Sequence, residues 1–502
     1  MKKYIPIVLT ILISGNIAIA NDFSADLELK DITETNEVKR ATLTKTDIKN
    51  QYSIAFDRFV QSNAKAAYRD YKILIETMKP NDLAYMNVSD KMASIGFFDL
   101  ADKAINKVSD KSYSYLIKDD IKRYYYPSGN MSREDETYLA EVYSNIMYNA
   151  QSKEATDELI KNTVLLSRLD YADYIAALGY FKSNNQKLAL KYINTAIAMN
   201  GENVIYKKLK AEILVGISKP KDAIKIIENI KKQPMNTKMF SDKIDSLEQY
   251  ILYKSSKNEN LKNYHLGYYY YLEGELPKAV RTLQTNTIGK KRLNKEVYAL
   301  SSRIYLDMKE FEKASDNAQK ALKLNGDSVI ALNVLGDISL RNNDYKAALK
   351  YYKKAANNDK FTPQSAINLA IVYEKLNETK KALEIYSKVL HEHSNSFYAY
   401  YKVAMLDSAK KLDYLKKSVA INKDFKEGWF EITGEEIKLG HLKVAEKYLT
   451  IANYIDENDF RYYYYQGLIY KAQGQQSEAD YYIKKSKLVR PETMSGKEEL
   501  GI

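Results

Sequence analysis

The sequence repeats at intervals of about 34 residues, and this period constrains the fold more than any other feature. Residues 330–337 and 345–355 have a counterpart at residues 364–371 and 379–389, and the same pattern fits near residue 460. Short repeats bury their apolar side chains against neighbouring repeats instead of around one central core. A chain of 502 residues built in this way does not need the roughly three globular domains that its length suggests.

Almost every period carries an alanine where a second helix would begin. Helices that cross closely leave no room for a branched side chain, so alanine at a fixed position indicates close contacts between helices. The prolines agree with this register, because none of them falls inside a predicted helix. The alanines at this position are Ala67, Ala101, Ala155, Ala189, Ala223, Ala279, Ala314, Ala348, Ala382, Ala445 and Ala479.

These features together resemble the tetratricopeptide repeat (TPR), a helix–turn–helix unit of 34 residues. The resemblance implies an all-α fold, a TPR α-solenoid in which helical hairpins stack into a right-handed superhelix. In that family the first helix of each unit, helix A, lines the concave side, and positions two, five, nine and twelve of the unit point into it. Predicted units begin at residues 48, 82, 136, 170, 204, 260, 295, 329, 363, 397, 426 and 460.

Two segments do not fit a complete unit and interrupt the array. Residues 116–135 contain Pro127 and lack the pattern, whereas residues 238–259 have the apolar spacing of one amphipathic helix. The predicted organisation is a signal peptide at 1–20, a polar N-terminal arm at 21–47, N-terminal TPR-like repeats at 48–237, a linking helix at 238–259, a C-terminal TPR array at 260–493 and a tail at 494–502.

The first twenty residues have the pattern of a secretory signal peptide. Lys2 and Lys3 precede an apolar run, and a small residue at positions 18 and 20 gives a cleavage site near Ala20. The apolar run is interrupted too early to serve as a membrane anchor, and no later segment is long and apolar enough to span a bilayer. We therefore expect a periplasmic or secreted protein of bacterial origin, with no transmembrane segment in the mature chain.

The sequence offers no group of residues suited to catalysis, to a cofactor or to a metal ion. It has no cysteine and four histidines, of which only His391 and His393 lie close together, without a third ligand nearby. We find neither a glycine-rich phosphate loop nor a nucleophile elbow. The prediction is a non-enzymatic protein with no cofactor.

The resemblance places tyrosine repeatedly on the concave side of the array. Tyrosine combines a flat apolar ring with a hydroxyl and loses few torsions on binding, so it is frequent at recognition surfaces. The chain has 45 Tyr and 13 Phe, however, so tyrosine replacing phenylalanine in the core remains an equal alternative. The predicted groove residues are Tyr171, Tyr174, Tyr264, Tyr268, Tyr271, Arg303, Asn333, Asp337, Tyr398, Tyr401, Arg461 and Tyr464.

The sequence thus predicts an exported, non-catalytic scaffold that mediates protein–protein interactions in assembling a cell-envelope or secretion machine. The expected partner is a protein, bound as an extended segment or a helix. The alternative is a periplasmic protein that binds polysaccharide or peptidoglycan, for which the net charge of +12 would favour an anionic polymer. Nucleic acid is not an expected partner, because export would separate the protein from the nucleic acids of the cytoplasm.

Overall fold

The computed structural model describes residues 45–489 apart from 79–80, 150, 233–235, 286–293 and 359–362. The predicted signal peptide, most of the polar arm and the tail lie outside these residues. The first helix begins at Lys45, inside the predicted arm. Within the described residues the fold is all-α, as the repeat pattern predicts, and consists of 27 α-helices and one short 3-10 turn at Ser408–Lys410.

Thirteen helices form an N-terminal block, residues 45–255. They are α1 (Lys45–Val60), α2 (Ala64–Thr77), α3 (Asp82–Ser94), α4 (Phe98–Asn106), α5 (Lys111–Tyr125), α6 (Arg133–Tyr148), α7 (Ser152–Leu159), α8 (Thr163–Arg168), α9 (Asp170–Lys182), α10 (Gln186–Met199), α11 (Val204–Gly216), α12 (Pro220–Lys232) and α13 (Lys238–Ser255).

The remaining helices form two further parts, which we call the arch and the C-terminal arm. The arch consists of α14 (Glu259–Leu272), α15 (Leu276–Gln284), α16 (Asn294–Asp307), α17 (Phe311–Leu324), α18 (Val329–Arg341), α19 (Tyr345–Asn358), α20 (Gln364–Lys375), α21 (Thr379–Glu392) and α22 (Phe397–Leu406). The C-terminal arm consists of α23 (Lys411–Ile421), α24 (Lys426–Lys438), α25 (Leu442–Ile455), α26 (Phe460–Ala472) and α27 (Gln476–Val489). Helix A of every predicted unit begins within three residues of its predicted start.

Close packing between the two helices of each hairpin depends on small side chains. All eleven alanines at the start of the second helix are buried, none more than 8% exposed. Glycine has the same role on helix A. A Cβ atom on Gly336 would lie 2.5 Å from the ring of Tyr352, and one on Gly267 or Gly467 would lie 2.7 Å from the side chain facing it. The recurring small residues therefore set the distance between helices.

The turn inside ten of the hairpins has the same backbone conformation, with one residue in the left-handed region. This conformation lets backbone N–H groups after the turn bond to the last carbonyls of helix A, as Glu310 N does to Tyr305 O at 2.9 Å. The ten residues are Ser62, Gly96, Asn184, Ser218, Gly274, Lys309, Asn343, Asn377, Gly440 and Gly474, with φ between 58° and 88°.

These turns give a prediction that isolates backbone strain from packing. Lys309 has φ 62°, whereas Gly474 has φ 77° and no atom within 4 Å of where a Cβ would stand. We expect Lys309→Gly to raise the free energy of unfolding by about 0.5–1 kcal/mol and Gly474→Ala to lower it by about 1 kcal/mol. Urea unfolding followed by circular dichroism measures both. Changes of the same sign in the two variants would contradict this account.

The two segments that interrupt the repeat pack against each other. Helices α5 and α13 meet through Tyr124 and Phe240, whose ring centroids lie 5.0 Å apart. Asp120 of α5 accepts hydrogen bonds from the backbone N–H of Asn236 and Thr237 at 3.0 and 2.8 Å, just before α13 begins. Asp120 thus accepts hydrogen bonds from the two backbone N–H groups that immediately precede the linking helix. The N-terminal end of a helix is a favourable place for a carboxylate.

The array does not run on as an open coil but returns to its beginning. Helix α23 packs on α5, and α25 packs on α3, although the two helices of each pair begin 300 or more residues apart in sequence. The main hydrophobic core therefore runs from the N-terminal block into the C-terminal arm, whereas the arch contains smaller, separate clusters. We call the contact between α3 and α5 on one side and α23 to α25 on the other the seam.

A buried carboxyl group in the N-terminal block predicts a pH dependence. Glu136 is 2% exposed, and its pKa is raised from 4.5 to about 8, mainly by burial and to a smaller extent by the charge of nearby Asp99. The hydrogen bond from the Asp99 N–H and the charge of Lys103 oppose the rise. Since the folded pKa lies above the unfolded one, the stabilisation from this shift is complete below about pH 4 and is lost as pH rises through 8.

We expect Glu136→Gln to remove this dependence, because the amide stays neutral and its carbonyl still accepts the Asp99 N–H. The variant should exceed the wild type in free energy of unfolding by about 1–3 kcal/mol at pH 9 and differ little at pH 5. Urea titrations at a series of pH values measure the difference. A constant difference across that range would exclude Glu136 as its source.

Candidate partner-binding groove

Three tyrosines on α14 form the beginning of the predicted groove. Tyr264, Tyr268 and Tyr271 lie on one face of the helix, with ring centroids 6.2 and 6.1 Å apart along the row. All three side chains are partly buried. Among the described residues, no hydrogen-bond partner lies within reach of the hydroxyls of Tyr264 and Tyr268.

The row continues into a charged cluster on α16 and α18. The Tyr271 hydroxyl donates to Asp307 at 2.9 Å, and burial raises the pKa of Tyr271 to about 12. Arg303 lies 3.1 Å from Asp307 and 3.3 Å from Asp337. Behind Asp337, the buried Tyr352 donates its hydroxyl at 2.5 Å. Burial raises the pKa of Asp337, while the Tyr352 hydroxyl and Arg303 hold it down.

Asn333, a predicted groove residue, is buried and forms its hydrogen bonds with other side chains of the protein. Its amide donates to Ser365 Oγ at 2.8 Å, and its carbonyl accepts from Asn368 at 3.3 Å. Both asparagines are buried. Their amides connect α18 to α20, so we assign them to structure instead of partner contact.

A second aromatic cluster lies at the far end of the arch. Tyr398 and Tyr401 on α22 lie 5.9 Å apart, and Tyr401 meets Phe425 edge-on at 5.0 Å. Beside them, Lys402 donates to Glu374 at 3.0 Å. The pKa of Tyr398 is raised to about 12, mainly by burial. Tyr386 donates to the same Glu374 at 2.5 Å, which repeats the arrangement of Tyr352 and Asp337.

Arg461 and Tyr464 lie beyond the arch, on α26. Arg461 is held by Asp459 at 2.6 Å and by Glu427 at 3.4 Å, and its guanidinium covers the ring of Phe430. Tyr464 is partly buried and packs against the main core. The structure thus separates these two residues from the tyrosines of α14.

The middle block departs from the predicted groove. Tyr171 is 2% exposed and meets Phe98 edge-on at 5.0 Å, so it is a core residue that a partner cannot reach in this structure. Tyr174 is stacked between Tyr171 and Tyr206, at 5.6 and 5.1 Å. Placing Tyr171 in an open groove was wrong, because its ring packs against Phe98 of α4 in the core. Tyr174 is partly buried, and its place in the groove stays a prediction.

The charged groups of the groove neutralise one another. Arg303, Lys402 and Arg461 each lie within 3.4 Å of at least one carboxylate from their own or a neighbouring helix. Their partners Asp307 and Glu374 were missed in the sequence. Asp307 could have been recognised four residues after Arg303 on one helix. Glu374 could not, since its partner Lys402 lies on another helix.

The Asp337 cluster predicts a stability difference between two aspartates of the arch. Asp337→Ala leaves the buried Tyr352 hydroxyl without an acceptor, so we expect a loss of about 1–3 kcal/mol. Asp316→Ala removes an exposed ion pair with Lys320 and should cost about 0.5 kcal/mol or less. Thermal unfolding compares them. Equal losses of stability in the two variants would show that the hydrogen bond from Tyr352 to Asp337 contributes no more to stability than an exposed ion pair.

Comparisons with known proteins agree with the repeat pattern. Residues 301–366 match the family model described as "Tetratricopeptide repeat". The chain is 22% identical over 428 residues to Tetratricopeptide repeat protein 21B of Xenopus laevis. The aligned region covers 82% of this chain and 30% of that protein. It is 24% identical over 441 residues to a TPR repeat-containing protein of Methanocaldococcus jannaschii, covering 79% of this chain and 73% of that protein.

Among solved structures, the chain is similar to one in the crystal structure of the APC/C hetero-tetramer Cut9–Hcn1. The likeness covers 76% of this chain and 74% of that one, with 17% identity and a TM-score of 0.32. Likeness at this level does not establish a shared overall shape. No helix among the described residues has the length and apolar character required to cross a membrane.

Proposed function

We propose that this chain is a tetratricopeptide-repeat protein that acts as a non-catalytic scaffold and holds a protein segment along the arch. TPR proteins bind protein partners, and nothing in this chain points to an enzymatic activity. The observation that carries the proposal is the row of Tyr264, Tyr268 and Tyr271, whose rings share one face of α14. The bound segment would be an extended strand or a helix.

The chemistry of the row suits a polypeptide. Stacked or edge-on aromatic rings provide apolar contact area at a low entropic cost, and free hydroxyls can bond to the backbone of an extended segment. The neighbouring Arg303 is already fixed by two carboxylates, so it adds little net charge to the surface. Affinity would come from apolar contacts and hydrogen bonds, and should depend weakly on salt.

The alternative, an anionic polysaccharide, is less favoured by this surface. An anionic polymer needs cations that are free to bind it. Lys402 beside the aromatic cluster of α22, and Arg461 on α26, are both paired with carboxylates at 3.0 Å or less. The positive charge of the chain as a whole is therefore not concentrated where the aromatic rings lie.

We further propose that the scaffold works outside the cytoplasm, in assembling a cell-envelope or secretion machine. The support is the basic start, apolar run and small-residue ending of residues 1–20. On expression in a Gram-negative host, the protein in the periplasmic fraction should begin at Asn21. Mass spectrometry of its N-terminal peptide measures this. A protein that retains Met1 in the cytoplasmic fraction would overturn the export proposal while leaving the scaffold proposal intact.

A photo-crosslinking experiment tests the groove. A photoreactive phenylalanine analogue at Tyr268 should give a protein adduct of discrete mass in cells, and Tyr264→Ala with Tyr271→Ala should reduce its yield about tenfold or more. The yield from detergent extracts should change little between 0.05 and 0.5 M salt. The control is the same analogue at Tyr481, which is 60% exposed on α27, outside the groove.

Two results would contradict the proposal. Equal adducts at Tyr268 and Tyr481 would mean that the groove has no selectivity. An adduct removed by glycan digestion, or by raised salt, would instead support the polysaccharide alternative. Circular dichroism of the double alanine variant checks that the array remains folded.

A further inference from the structure

We propose that the outer side of α10 and α12 is a docking surface for an anionic phospholipid membrane. Residues 182–232, which contain both helices, have 11 Lys, no Arg and four acidic residues, so their net charge is +7. The whole chain of 502 residues has a net charge of +12. More than half of the excess positive charge is therefore concentrated in about a tenth of the sequence.

Four lysines of these two helices lie at equivalent positions of neighbouring repeats. Lys221 and Lys225 on α12 follow Lys187 and Lys191 on α10 by one period of 34 residues. Since a solenoid places equivalent positions of successive repeats side by side, the four side chains form a two-by-two array on one surface. All four are exposed. We call them the lysine patch.

The lysine patch is not neutralised by its own helices. Helix α10 contains no acidic residue, and α12 contains Asp222 and Glu228. Within the part of the chain that the structure describes, neither of these carboxylates forms an ion pair with a patch lysine. The cations of the arch groove, in contrast, are paired with carboxylates. The lysine patch thus keeps its charge available to an external partner.

The lysine patch also faces away from the packed interior. Ala189 and Ile193 on α10, and Ala223 and Ile227 on α12, form the buried sides of the two helices. Neither helix is part of the seam. The exposed lysines therefore lie on the outside of the N-terminal block, where a large flat partner can approach them.

The chemistry of the lysine patch favours a charged sheet over a single anionic group. Recognition of one carboxylate or phosphate commonly uses the paired donors of arginine, and residues 182–232 contain none. Flexible lysines instead act as separate point charges, and their attractions to a surface of many lipid phosphates add up. A bilayer presents its phosphates in two dimensions, as the patch presents its ammonium groups.

Membrane docking would leave the arch free to bind a protein segment. The lysine patch is on second helices of the N-terminal block, whereas the tyrosine row of α14 is on a first helix of the arch. Both surfaces can therefore be occupied together. Binding to vesicles is measured without a protein partner, so a failure of membrane docking and a failure of the scaffold proposal are distinguishable.

Co-sedimentation with vesicles tests the docking surface. The purified chain should bind vesicles of phosphatidylcholine with about one third phosphatidylglycerol about tenfold or more tightly than vesicles of phosphatidylcholine alone. Raising the salt from about 0.05 to about 0.5 M should remove most of this difference, because the charges are exposed. A variant with Lys187→Gln, Lys191→Gln, Lys221→Gln and Lys225→Gln should bind the anionic vesicles about tenfold or more weakly.

A matched control variant loses the same charge from exposed lysines that are already paired with carboxylates. Its affinity for anionic vesicles should change by less than about threefold. The four changes, all on second helices of the arch, are Lys278→Gln, Lys313→Gln, Lys320→Gln and Lys381→Gln. Circular dichroism checks that both variants keep their helices.

Three results would overturn membrane docking at the lysine patch. The parent chain could fail to distinguish anionic from neutral vesicles. Equal losses of affinity in the two variants would mean that the net charge matters and its position does not. Stronger retention of the parent on immobilised polyglutamate than on anionic vesicles of equal charge would assign the lysine patch to an acidic polypeptide instead.

Discussion

The close approach of two helices within each hairpin is the constraint on which the rest of this structure depends. An alanine at the start of the second helix, and a left-handed residue in the turn before it, fix the separation and the angle of the pair. Neither helix can bury its apolar face alone, so every hairpin needs a neighbour. Stacking follows from this requirement, and the concave surface follows from stacking.

Tyrosine has two roles in this array, and the degree of burial of each side chain tells the two roles apart. Tyr352 and Tyr386 reach from the second helix of their hairpins to a carboxylate on helix A, Asp337 and Glu374, and hold it from behind. The tyrosines of α14 instead present their rings along one face. The hydrogen bonds from Tyr352 and Tyr386 fix the carboxylates of Asp337 and Glu374, which neutralise neighbouring cations. A tyrosine-rich surface with little net charge results, suited to apolar contact with a polypeptide.

The repeat pattern predicted the helices far better than it predicted the groove. Hairpin positions follow from local rules, namely small residues at crossings and a turn after a fixed number of residues. Tyr171 and Leu261 both hold position two of their units, yet Tyr171 is 2% exposed and Leu261 is 38% exposed. The difference arises because Phe98 of the distant helix α4 packs edge-on against the ring of Tyr171. Contacts between such distant elements leave no periodic mark in a sequence.

The sequence by itself determined the helical hairpins, their order and the small residues between them, because these depend on neighbours within about one repeat. Only the tertiary structure decided that the array returns to its beginning and that Trp429 meets Tyr113 across more than 300 residues. Small rotations at each interface add up along a solenoid, so its final curvature is a sum over many packing details. Whether the two ends meet depends on that sum, which no single repeat encodes.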